Sequence, residues 1–210
     1  MTDTTDWASA TEQQVLEAAL RLIPLKGWSR PMVLEAGRAA GLSAGETELL
    51  LPNGAADLAA LLSRRHDAAA LGALGDPAGM KVRERISAAV EARLDAACAD
   101  GAAVRRWTGF LALPPNLALG ARLLWESADA LWRWAGDTAT DENHYSKRAL
   151  LSAILAAGLA IRLTSGKAAA MKHVAARIEN VMAFEKWKAG VKPQDLARDV
   201  AVALGKIRYR

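Results

Sequence analysis

The residue types that could do chemistry gather in one short segment, 132–148, which reads WRWAGDTATDENHYSKR. Its acids, Asp137, Asp141 and Glu142, resemble an acid–base set by residue type alone. Helix termini explain them more simply, because a carboxylate near the start of a helix is stabilised by the helix dipole. The segment therefore does not predict catalysis.

The segment that connects two helices needs only residues that end the first helix, form a turn and begin the second helix. Gly136 can end the first helix in a left-handed conformation, and Thr138 or Thr140 can cap the next. Polar and aromatic residues that are not required to connect the helices indicate a recognition surface. They are Trp132, Trp134, Asn143, His144, Tyr145, Lys147 and Arg148.

No other part of the sequence supplies a catalytic or metal-binding motif. His66, His144 and His173 are far apart, and none stands with cysteine or carboxylates at metal-ligand spacing. We find no serine nucleophile motif, phosphate-binding loop or dinucleotide fingerprint. The sequence predicts a protein that is not an enzyme, with no catalytic residues, no metal and no cofactor.

Composition favours an all-α fold, because alanine and leucine dominate and no alternating strand pattern is present. The 210 residues suit one domain or a small head on a larger body. We expect a helix-turn-helix head over 1–75 and a helical body over 76–210. The single cysteine, Cys98, fits a reducing compartment and a small core residue.

The head is predicted from capping and turn signals. Capping boxes start helices at Thr11 with Gln14 and at Ser43 with Glu46. Pro31 starts a second helix that Gly41 ends, and a turn at 52–54 precedes a fourth helix from Ala55.

GLSAGETELLLPNGAADL resembles the TetR-type DNA-binding head. However, 39–63 contains no Lys or Arg, while Glu46, Glu48 and Asp57 are acidic. Phosphate contacts supply most nonspecific affinity for DNA, so we expect no nucleic-acid partner. A ligand-responsive transcriptional repressor is the alternative function.

In the body, leucine and alanine repeat at heptad-like spacing from Leu117 to Ala135, and alanine-rich 149–161 should lie opposite. These faces could interlock as a simple core or leave an elongated apolar cavity. The segment 149–161 is too short to span a bilayer.

Three segments together resemble a known family: the 132–148 motif, LALPPNLALG at 111–120 and RIENVMAFEKWK at 177–188. The family is the ubiquinone (coenzyme Q) biosynthesis lipid-binding accessory proteins, which share a TetR-like fold. The resemblance implies a non-enzymatic protein that binds isoprenoid or quinone precursors, or phospholipid, and presents them to a ubiquinone-pathway hydroxylase. The lipid-binding residues it implies are Leu124, Trp125, Ala128, Leu131, Trp132, Ile154, Leu155, Gly158, Val174, Ile178, Val181 and Met182.

The resemblance also implies surfaces for partners. Asp141, His144, Tyr145 and Arg148 would contact the hydroxylase, although the family usually has tryptophan at the position of His144. A local ion pair between Asp141 and Arg148 is the simpler alternative.

The C-terminal segment 193–207 is predicted to form an amphipathic helix that contacts a membrane peripherally. Packing on the body or on a second subunit is equally compatible with its pattern. Eukaryotic family members are mitochondrial, and MTDTTDW has no leader-like character, so we expect a bacterial cytoplasmic form or a chain already trimmed of its leader. Because TetR-like bodies often dimerise through their last helices, the resemblance also implies a homodimer. The predicted membrane-binding residues are Leu196, Val200, Leu204, Lys206, Ile207 and Arg208.

Overall fold

A computed structural model describes the backbone of residues 3–138 and 142–190, and the side chains of 7–138 and 144–180. Within these ranges there is no strand, which confirms the all-α prediction. The helices are α1 (Asp3–Lys26), α2 (Arg30–Ala39), α3 (Ala44–Leu50), α4 (Ala55–Ala73), α5 (Val82–Ala99), α6 (Gly101–Leu111), α7 (Leu117–Trp134) and α8 (Glu142–Gly190), with a 3-10 turn (Pro114–Asn116) before α7.

Most of the predicted helix boundaries in the head are confirmed. Ser43 and Glu46 form the expected capping box at the start of α3, and α2 carries proline in its first turn. Gly41 has a φ of +85° just after α2, a conformation that glycine adopts without strain. The capping box at Thr11 is wrong, because α1 starts at Asp3 and the Thr11 hydroxyl donates to the Trp7 carbonyl inside the helix.

One hydrophobic core runs through the described helices, from Val15 and Leu16 in α1 to Val174 in α8. Helix α4 packs on α5 and also contacts α1 and α7, so it joins the first helices to the later ones. The predicted division at 75–76 falls in the connection between α4 and α5, and it stays a prediction. Cys98 is half-buried and packs against this core.

A buried polar cluster links α4 and α5 to the start of α6. Arg93 Nε donates to Asp67 Oδ1 at 2.5 Å, and its Nη2 donates to Ser63 Oγ at 3.3 Å. His66 Nε2 lies 2.9 Å from Asp100 Oδ2. Because a carboxylate only accepts, Nε2 carries the proton of the neutral ring. Burial and the nearby Arg93 charge lower the pKa of His66 to about 4, against the opposing effect of Asp100.

Helix α8 bends at Gly166, whose φ of +85° and ψ of 179° are not helical. Its stretch His144–Asn180 is long and apolar enough, by length and composition, to cross a membrane, with 28% of the most apolar window buried. The segment 149–161 alone is too short to span a bilayer, but the helix that contains it, α8, is longer at both ends. Core helices of soluble proteins pass the same test, so the finding is weak evidence for a membrane span.

Candidate functional site

The end of α7 and the start of α8 meet at a corner that is built around Arg148. Its side chain is 2% exposed, and its guanidinium donates to Asp129 Oδ1 at 2.6 Å and to Asp137 Oδ2 at 3.1 Å. Lys147 Nζ contacts the other Asp137 oxygen at 2.6 Å. Burial alone would raise the pKa of Asp137, but the hydrogen bonds from Lys147 and Arg148 outweigh it and hold that pKa below its usual value.

The tryptophans of the corner also have structural partners. Trp132 Nε1 donates to the Lys147 carbonyl at 3.1 Å, and the Lys147 ammonium lies 5.3 Å from the centre of the Trp132 ring. Trp134 Nε1 donates to the Gly75 carbonyl at 3.2 Å. Trp132, Trp134 and Lys147 thus hold α7, α8 and the connection after α4 together, and these contacts account for the three residues without a role in recognition.

The structure of the corner contradicts the prediction that Arg148 contacts a partner. Arg148 is buried and cannot present its charge to a partner, because its two carboxylate partners lie inside the corner. Arg148 does form local ion pairs, with Asp129 and Asp137, while the predicted pair with Asp141 is not tested. Asp141 and the Asn143 side chain lie outside the described residues.

Tyr145 is the part of the corner that faces solvent, at 65% exposed. Its ring centre lies 5.2 Å from that of His144 and 6.1 Å from that of Trp125. The three rings form one aromatic cluster on the outside of α7 and α8. Aromatic residues of this kind are enriched at the centres of protein interfaces.

An open apolar groove of about 690 Å³ lies between α6, α7 and α8. Its volume falls in the range of ligand-binding sites in proteins. Leucine and alanine supply most of its walls, and no His, Cys, Asp or Glu is among the described residues that line it. Those residues are Arg105, Trp107, Thr108, Leu111, Ala112, Leu117, Gly120, Ala121, Leu124, Ala156, Leu159, Ala160, Leu163 and Thr164.

Of the predicted lipid-binding residues, Leu124 lines this groove. Six others pack inside the core and are not among the residues that line this groove, so their part in lipid binding stays a prediction: Ala128, Leu131, Ile154, Leu155, Gly158 and Val174. A Cβ at Gly158 would lie 3.1 Å from Leu94 Cδ1 and 3.3 Å from Val174 Cγ2, so α8 packs closely against these two side chains at Gly158.

The remaining predicted lipid-binding residues lie elsewhere. Trp125 and Trp132 belong to the corner, and Ile178 is half-buried against the core. The side chains of Val181 and Met182, and all of the predicted membrane-binding residues, lie outside the described residues.

The groove residues on α6, on the far side of α8, and at Leu117, Gly120 and Ala121 on α7 were not among the predicted lipid-binding residues. On α8 the groove is lined by Ala156, Leu159 and Ala160, which lie one or two positions along from the predicted Leu155 and Gly158, and by Leu163 and Thr164 further on. The apolar character of both faces was visible in the sequence. Which face the core covers is decided by tertiary packing.

The head carries no basic surface on α3. Its sequence AGETELL has no Lys or Arg, and Leu49 is 84% exposed. The nearby Arg30 is paired with Glu48 of α3. Among the described residues no group of three or more His, Cys, Asp or Glu is arranged to hold a metal ion.

Fold and site together define an all-helical protein whose candidate site is an apolar groove. The family model for COQ9 matches residues 117–185, which include the α7 and α8 walls of that groove. The ubiquinone biosynthesis protein COQ9-A, mitochondrial, of Xenopus laevis is 32% identical over 68% of this chain and 48% of its own length. The mitochondrial ubiquinone biosynthesis protein COQ9 of Homo sapiens is 28% identical, with coverages of 68% and 48%.

The part of the chain that the family model matches therefore belongs to the COQ9 family, and these relatives are named ubiquinone biosynthesis proteins. COQ9-B of Xenopus laevis is similar at 28% identity, covering 68% of this chain and 52% of the relative. The chain thus spans about half the length of the curated relatives it matches.

Proposed function

We propose that the chain acts in ubiquinone biosynthesis as a non-enzymatic lipid-binding accessory protein. It takes up an isoprenoid or quinone precursor, or a phospholipid, in the α6–α7–α8 groove and presents it to a hydroxylase that modifies the quinone head group. The observation that carries the proposal is the apolar groove itself, whose α7 and α8 walls lie in the part of the chain that matches the COQ9 family.

The chemistry of the groove supports binding rather than catalysis. Burying apolar surface contributes about 25 cal/mol per Å², so a long hydrocarbon chain gains affinity along walls of leucine and alanine. The described lining contains no carboxylate, thiol or imidazole that could act as a general acid, general base or nucleophile.

The aromatic cluster of Trp125, His144 and Tyr145 is the proposed contact for the hydroxylase. It lies on the same two helices as the groove, so a docked partner would meet the bound lipid nearby. Peripheral membrane contact through 193–207 and a homodimer remain part of the proposal. Sedimentation equilibrium showing a single 22.3 kDa species would exclude the homodimer.

The test combines lipid identification with a blocked groove. Native mass spectrometry and organic extraction of gently purified protein should show a bound quinone, isoprenoid or phospholipid. Ala160→Trp should fill the groove and reduce uptake from quinone-loaded vesicles at least ten-fold. Ala153→Trp is the matched control, because Ala153 is also exposed on α8 but does not line the groove.

Two results would contradict the proposal. Folded wild-type protein that carries no lipid and takes none from vesicles would exclude a carrier. Equal uptake by Ala160→Trp and Ala153→Trp would remove the groove from the mechanism.

A further inference from the structure

One charged residue, Arg105, stands among the described residues that line the groove. Arg105, Thr108 and Leu111 lie along the face of α6 that lines the groove, and Arg105 is the first of them in the sequence. At 1.5 Å per residue, Arg105 lies about 9 Å along α6 from Leu111. The stripe therefore has a cationic end and an apolar end, which is the polarity of an amphiphile.

The Arg105 guanidinium has no ion-pair or hydrogen-bond partner among the described side chains and backbone. Its neighbour Arg106 differs, since it donates to the Pro24 carbonyl at 3.5 Å and does not line the groove. The absence of acidic residues from the described lining leaves the charge of Arg105 uncompensated within the groove.

The other polar groups of the described lining do not compete for a ligand anion. The Thr108 hydroxyl donates to the Arg105 carbonyl at 3.0 Å, and the Thr164 hydroxyl donates to the Ala160 carbonyl at 2.9 Å. Both donors are thus occupied within their own helices. Arg105 is left to recognise the head group.

We propose that Arg105 makes the groove selective for amphiphiles with an anionic head, carboxylate or phosphate, over neutral ones. This inference rests on the proposed lipid-binding function. The planar guanidinium offers paired N–H donors that match both anions. Its methylene stem can lie along the apolar wall while the charge stays near water. The apolar chain then extends from Arg105 toward Leu111 and Leu117.

Three probes with the same tail separate head group from chain: oleate, oleoyl lysophosphatidate and neutral oleyl alcohol, each titrated calorimetrically below its micelle concentration. Arg105→Gln should weaken oleate and lysophosphatidate about five-fold, the effect of losing an exposed ion pair. It should change the affinity for oleyl alcohol less than two-fold. The matched variant Arg106→Gln should leave all three affinities within two-fold of wild type.

Salt gives an independent measurement. Raising ionic strength from 0.01 to 0.15 M shortens the Debye length from about 30 to about 8 Å. The wild-type affinity for oleate should fall, and Arg105→Gln should remove most of that salt dependence.

The failures of the two proposals can be told apart. If wild type binds all three probes and Arg105→Gln weakens them equally or not at all, the head-group inference is wrong while the groove still binds lipid. If wild type takes up quinone from vesicles but binds none of the probes, the head-group inference is wrong and the proposed function stands. If it takes up no quinone and binds no probe, both proposals are wrong. Selective weakening of oleate but not of lysophosphatidate would restrict the head to a carboxylate, and the reverse would restrict it to a phosphate.

Discussion

Arg148 on α8 reaches back to Asp137, donating to its Oδ2 at 3.1 Å with both side chains almost fully buried. The same guanidinium donates to Asp129 on α7 at 2.6 Å and to the His144 carbonyl at 3.1 Å. One side chain therefore joins the C-terminal half of α7, the connection and the first turn of α8. The position of α8, and with it one wall of the groove, depends on this network.

Arg148→Met should destabilise the protein by about 3 kcal/mol, because it leaves Asp129 and Asp137 partly uncompensated in a buried site. Urea unfolding followed by circular dichroism measures this change. Arg133→Met is the matched control: Arg133 also pairs with Asp129, but its side chain is 73% exposed. Its loss should cost less than about 1 kcal/mol. Equal effects of the two substitutions would contradict a special role for the buried network.

Protonation of His66 should make the fold sensitive to acid. The folded-state pKa is about 4 and the ordinary value is 6.5, so the unfolded chain binds more protons between these values. The free energy of unfolding should therefore fall as pH drops from 6.5 to 4, by an amount on the order of 2–3 kcal/mol. Urea unfolding at several pH values measures the slope.

His66→Gln is the control for that slope, because glutamine can donate in place of Nε2 but does not titrate. Carboxylates such as Asp137 lose stabilising contacts in the same acid range, so the informative quantity is the difference between wild type and variant. Parallel pH profiles for the two proteins would mean that His66 is not responsible.

Local signals in the sequence predicted the head well. The Ser43–Glu46 capping box, the proline start of α2 and the left-handed Gly41 each act within a few residues, so the sequence contains the complete cause. The Thr11 prediction failed because the same capping motif can lie inside a longer helix, and nothing local at Thr11 excludes an earlier start.

The candidate site was harder to predict, because it depends on which helices cover which faces. Leu117 and Leu131 belong to one apolar stripe of α7, yet Leu117 is 56% exposed and Leu131 is fully buried. Spacing cannot tell the covered end of such a stripe from the open end. Likewise, Arg148 looks like a surface residue in sequence, and its burial follows from the carboxylates that α7 and the connection bring to it.

Substitution of Gly158 tests whether this position belongs to the core or to the groove. A side chain there would push against Leu94 and Val174, so Gly158→Val should destabilise the fold by about 1–3 kcal/mol. Gly109→Val is the control, since no other group lies within 4 Å of a Cβ at that exposed helical position. Valine there should be neutral or slightly stabilising, because glycine is the poorer helix former.

The folded fraction of Gly158→Val should bind lipid as wild type does, because Gly158 does not line the groove. Thermal unfolding and vesicle uptake measure the two properties separately. Lost uptake in a folded variant of unchanged stability would place the ligand between α5 and α8 after all.

Tyr145→Ala should separate partner binding from lipid binding. Its side chain is 65% exposed and touches His144 and Trp125 at the rim of the corner, so its loss should change stability by less than about 1 kcal/mol. Lipid uptake should stay intact, since Tyr145 does not line the groove.

Affinity of Tyr145→Ala for the hydroxylase, measured by calorimetry with the purified enzyme, should fall at least ten-fold, because exposed aromatic residues anchor protein interfaces. Leu49→Ala, which removes an exposed apolar side chain from the head, should leave that affinity unchanged. Weakened lipid uptake with normal enzyme binding would instead assign Tyr145 to the lipid site.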